Sequence, residues 1–81
     1  DMTQPLAFLQ GELEAVLRVV RPFQVRDARF LELGFTLDDD PPDSVRHIRV
    51  GDNLVYANPQ PGDKVRMLFA LGNVLRVIKS Q

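Results

Sequence analysis

Eight of the ten basic side chains are arginines, and they fall beside the few aromatic rings. Arg18, Arg21, Arg26 and Arg29 surround Phe23 and Phe30 with one acid among them, Asp27, while Arg46 and Arg49 precede Tyr56. A guanidinium makes planar, bidentate and stacking contacts that a lysine ammonium does not. A positive groove interleaved with aromatic platforms holds unpaired nucleotides, each base–ring stack contributing about 1–3 kcal/mol. A second basic segment carries Lys64, Arg66, Arg76 and Lys79 without an acid, and Asp38, Asp39, Asp40 and Asp43 form an acidic cluster between the two. The net charge of −1 favours no polyanion, so affinity for one has to come from local placement.

Other chemistries are poorly supplied. There is no cysteine, which excludes disulfides, thiolate metal sites and thiol catalysis. That composition suits a reducing compartment, and a cytoplasmic location is the expectation. His47 is the only histidine, and scattered carboxylates such as Asp43 and Asp52 complete no ligand set with it; alternating with Val45 and Arg49, it reads as a strand-face residue. The four aspartates lack the spacing and closing glutamate of a calcium loop and read as a solvated turn. Glu12 and Glu14 would share the solvent side of a strand, whereas acid–base catalysis needs two carboxylates in different environments. Thr3, Thr36, Ser44, Ser80 and Tyr56 have no base near them in sequence, and there is no phosphate loop or dinucleotide fingerprint. No catalytic residue, metal, cofactor or small-molecule substrate is expected. No apolar run approaches the roughly 20 residues of a membrane helix, and the first residues lack the basic and apolar regions of a secretory leader. Asp1 ahead of Met2 reads as an added residue before a native start.

These side chains have to be positioned by a single domain of 81 residues, 44% of them hydrophobic. Lys64 to Leu71 alternates, with Val65, Met67, Phe69 and Leu71 on one face. Gly72-Asn73 suits a tight turn, and Val74 to Lys79 runs back, pairing Leu71 with Val74, Phe69 with Arg76 and Met67 with Ile78. Both faces of this hairpin are largely apolar, which places it centrally in the fold or at an interface formed by Leu68, Leu75 and Val77. Val45–Val50 and Leu54–Ala57 flank Gly51-Asp52-Asn53 as a second hairpin, and the prolines of Asn58–Pro61 make a stiff connector. Phe30 to Leu37 places Leu31, Leu33, Phe35 and Leu37 on one face, with Gly34 marking a bulge or bend. Near the start, a short turn or helix over residues 3–9, capped by Thr3, precedes a strand from Gly11 to about Arg21, and Pro22 to Arg29 forms a loop. A helix over residues 4–20 is the competing reading, since Leu6, Leu9, Leu13 and Leu17 also recur at helical spacing. Phe8, Phe35 and Phe69 are assigned to the core.

The expected fold class is all-β, a small five-stranded barrel with the option of a short N-terminal helix. The layout resembles the OB-fold over roughly residues 11–79: a long first strand opening at Gly11, a second with a mid-strand glycine, a short third, and Pro61-Gly62-Asp63 launching the last two. An SH3-like barrel fits nearly as well. The OB resemblance implies a binding face on the second and third strands with their flanking loops. On that face Phe30 and Tyr56 would stack bases and Arg46 and Arg49 would contact phosphates, with Arg26 and Arg29 nearby. The expected function is therefore binding of single-stranded DNA or RNA, within a larger assembly. The alternative is a protein-interaction or homo-oligomeric assembly module joined through the 64–79 hairpin.

Overall fold

Alternating apolar and polar residues build five strands, β1 (Gly11–Val25), β2 (Ala28–Leu37), β3 (Arg46–Gly51), β4 (Lys64–Ala70) and β5 (Asn73–Lys79), in a computed structural model that describes residues 4–80. They form one antiparallel sheet in the order β3-β2-β1-β4-β5. After β3 the chain turns through a 3-10 segment at Asp52–Leu54. Val55 then bridges Val77 of β5 in parallel, and the Tyr56 N–H donates to the Val77 carbonyl at 3.2 Å. The two ends of the sheet thus meet, giving a small, partly open barrel. The hairpin expected over residues 45–57 is not formed. Leu54, Val55 and Tyr56 pack against the core instead, which carries the segment across to β5.

β1 runs past its expected end at Arg21, through Pro22, to a two-residue turn at Arg26-Asp27. Pro22 is tolerated because β4 pairs with β1 only from Gly11 to Val16, so the outer edge of the later residues is unpaired and no ladder bond is lost there. The expected loop at 22–29 is therefore the tip of a long β1–β2 arm. Opposite Gly34 the register of β1 shifts between Leu17 and Val19. A Cβ at Gly34 would lie 3.0 Å from the Val19 Cβ and 3.1 Å from the His47 ring, so this crossing favours glycine.

Leu17, Leu33, Phe35, Val65, Met67, Phe69 and Val77 are fully buried, with the Phe35 and Phe69 rings 6.2 Å apart. Phe8, assigned to the core from sequence, is 64% exposed, and Leu9 fills that position instead. The N-terminal turn forms as a 3-10 segment at Leu6–Phe8, while its expected cap, Thr3, lies outside the described residues.

The β4–β5 hairpin exists, but its turn is Leu71-Gly72 and its pairs are Ala70↔Asn73, Phe69↔Val74, Leu68↔Arg76 and Met67↔Val77, with an irregularity after Leu68. This register turns Val77 into the core beside Met67, so Val77 is not an interface residue, whereas Leu68 and Leu75 stay exposed. Both turn residues have positive φ, 51° at Leu71 and 82° at Gly72. Asparagine–glycine is the pair best suited to such a turn. Because Leu71 is 76% exposed, Leu71→Asn is expected to stabilise the domain by about 1 kcal/mol through relief of the left-handed strain. A rise in the urea midpoint at unchanged slope would show it, and a fall would mean that the Leu71 side chain packs in solution.

Candidate nucleic-acid interface

Cross-strand register assembles the outer face of β1, β2 and β3 row by row. Phe23, Phe30 and Gly51 share one row; Arg21, Glu32 and Arg49 form the next; Val19, Gly34 and His47 follow. The half-buried rings of Phe23 and Phe30 stack at a centroid distance of 5.3 Å and 19° between planes. The Arg49 guanidinium lies over Phe23, 5.5 Å from the ring centre. Glycine at position 51 leaves no side chain beside Phe30 in that row. Arg21, His47 and Arg49 are exposed, as are Arg26 at the tip of the arm and Arg29 on its opposite side, paired with Gln24. The Gln24 side chain donates to the Arg26 carbonyl at 3.0 Å and pins the tip. A groove of about 440 Å³ continues from Glu32, His47 and Arg49 to Gly72 and Asn73 of the β4–β5 turn.

The only ion pairs among the described residues are Arg46–Asp40 and Arg66–Glu14, so Arg21, Arg26, Arg29 and Arg49 have no carboxylate within salt-bridge distance. Among the described residues no cluster of three or more histidine, aspartate or glutamate side chains is placed to hold a metal ion, and no helix is long and apolar enough to cross a membrane.

Of the expected site, Phe30 and Arg49 come together, and Arg26 and Arg29 lie along the same arm. Arg46 and Tyr56 do not join them. Arg46 is opposite Phe35, whose ring points into the barrel, so its side chain closes the barrel end. Its Nε donates to Asp40 at 2.8 Å and its Nη2 to the Gln4 carbonyl, with the two charged side chains only 10% and 8% exposed. Tyr56 packs against the core, and its hydroxyl donates to the Asp63 carboxylate at 2.5 Å. Phe23 and Arg21, noted in the sequence as part of the arginine–aromatic cluster but not assigned to the binding face, belong to it as well. Extending the strand alternation through Pro22 would have set Phe23 against Phe30.

The Tyr56–Asp63 bond ties the segment after β3 to the turn that launches β4. Burial, and then the hydrogen bond to Asp63, push the Tyr56 hydroxyl well above its ordinary range. The Tyr56 hydroxyl, and then the Gln60 N–H, hold Asp63 below its ordinary value. The stability contributed by ionised Asp63 is present above about pH 4 and lost as pH falls below that ordinary value. That from neutral Tyr56 is present below about pH 10 and lost as pH rises beyond it. Asp63→Asn is therefore expected to flatten the acid limb of a stability–pH curve, leaving the remainder to Glu14, whose carboxyl is held low mainly by Arg66. An acid limb as steep as that of the wild type in urea titrations would show that the Tyr56–Asp63 bond does not persist in solution.

A small five-stranded antiparallel β-barrel whose outer face carries two stacked aromatic rings beside an arginine is the class that fold and site define. Comparison with protein-family models, curated proteins and solved structures returned no match.

Proposed function

We propose that this chain is a non-enzymatic OB-like module that binds single-stranded nucleic acid in the cytoplasm, within a larger assembly. The observation that carries the reading is the Phe23–Phe30 stack with Arg49 over it, on the outer face of the strands OB-like barrels use for ligands. The paired rings offer a base a flat surface, and a guanidinium already oriented over one ring needs little reorganisation to meet a phosphate. On the arm Arg21, Arg26 and Arg29 outnumber Asp27 and Glu32, a local positive excess despite the negative total. Phosphate contact releases condensed counterions, so affinity should fall as salt rises. Fluorescence anisotropy with labelled single-stranded DNA and RNA at low and moderate salt tests this. Saturable, salt-sensitive binding is the expected result; absence of binding at low salt would overturn the reading.

A further inference from the structure

Glu32 is the odd residue on the candidate face. It stands on β2 between Arg21 and Arg49 in their row, two residues from Phe30 and two from Gly34, and so shares their outer side. Among the three rows of that face it is the only acid, and a carboxylate there repels the phosphates that the arginines attract. Directly opposite residues on neighbouring strands have Cβ atoms about 4.5–5.5 Å apart, close enough for opposite charges to pair. Neither arginine pairs with it: the ion pairs among the described residues lie elsewhere, and Arg49 is drawn over the Phe23 ring instead. No hydrogen bond to the Glu32 carboxylate is formed among the described residues either. Glu32 is half-buried, and it lines the groove of about 440 Å³ with His47 and Arg49 beside it and Asn73 across from it. An acceptor without a partner thus borders the groove that leads away from the stacked rings.

An ionised carboxylate only accepts, through two oxygens side by side. Unpaired bases are read on their Watson–Crick edges, and those edges differ in what they offer. Guanine presents N1–H and the N2 amine as adjacent donors, which meet both oxygens at once. Adenine sets the acceptor N1 beside its amine, and cytosine the acceptor N3 beside its own. Thymine and uracil present one N–H between two carbonyls. Guanine alone makes the parallel, charge-assisted pair of bonds. We propose, building on the single-strand reading, that this groove takes one unpaired guanine and that Glu32 accepts its N1–H and N2–H donors. Glu32 then supplies specificity: its charge opposes the backbone of every sequence, and only guanine offsets that repulsion.

The test is a set of anisotropy titrations at low salt with labelled oligothymidylate of one length, either unsubstituted or carrying one central guanine, hypoxanthine or adenine. Hypoxanthine differs from guanine only in lacking the N2 amine. The guanine strand is expected to bind roughly 5- to 150-fold tighter than the adenine strand, with the hypoxanthine strand between them. Glu32→Gln keeps the shape of the side chain, and thermal unfolding confirms that it is folded. It should lose the guanine preference yet hold the unsubstituted strand at least as tightly as the wild type does, because a repelling charge is gone. A wild type without guanine preference, or one indifferent to loss of the N2 amine, overturns the proposal whatever the variant does. So does a preference that survives Glu32→Gln. In each of these cases strands still bind, and the single-strand reading stands. If no strand binds at low salt, that reading falls and the guanine site falls with it.

Discussion

Arg46→Ala is expected to destabilise the domain by about 3 kcal/mol, a large share of what a domain of this size possesses. The variant leaves the Asp40 carboxylate, with 8% of its side chain exposed, without the guanidinium it faces at 2.8 Å, and deprives the Gln4 carbonyl of its donor. The estimate is at the lower end for a broken buried pair because both side chains keep some contact with water. Removing Asp40 as well should recover part of the loss, since the combined Arg46→Ala, Asp40→Asn variant no longer strands a buried charge. Urea unfolding of the wild type, both single variants and the double variant measures the coupling. Folded Arg46→Ala should bind single strands nearly as well as the wild type. A selective loss of affinity with stability intact would return Arg46 to the binding face and contradict its placement at the barrel end.

Phe30→Ala carries the other large effect, on affinity. Losing one base–ring stack costs about 1–3 kcal/mol, or roughly 5- to 150-fold in Kd. Phe30→Tyr, which keeps the ring, should stay close to the wild type. Arg49→Ala should act differently, weakening all sequences alike and lowering the slope of log affinity against log salt by about 0.7, the contribution of one phosphate contact on a single strand. Anisotropy titrations at several salt concentrations separate the two. A Phe30→Ala variant that is folded and binds like the wild type would remove the stacked pair from the interface, and an unchanged salt slope in Arg49→Ala would remove the phosphate contact.

The pattern of β2 was legible because period-two alternation puts Leu33, Phe35 and Leu37 on one side wherever the strand is paired, and all three are buried. The same parity separates Arg46 from Arg49, which are three apart on one strand and so face opposite ways. Reading the two as a joint phosphate site overlooked this. Pro22 concealed Phe23, since a proline reads as a strand end unless the edge it occupies is known to be free, and that depends on where β4 stops pairing. The turn at Leu71-Gly72 was equally hidden. Leucine resists a positive φ, and the register is held from outside the hairpin: Gly72 donates to the Leu9 carbonyl at 3.0 Å, the Leu71 N–H donates to the Gln10 side chain at 2.8 Å, and the Ala7 backbone leaves no room for a Cβ at Gly72.

Local alternation and turn chemistry thus determined that the chain is all-β, where β1 begins, and that the last two strands form a hairpin, because those preferences act between near neighbours. Tertiary structure alone decided that Val55 crosses to Val77, that Arg46 serves Asp40, that Tyr56 serves Asp63, and that Phe23, Phe30 and Arg49 share a face. Each depends on closing the sheet or on strand registers far apart in sequence, where the free energy lies in contacts that no local window contains.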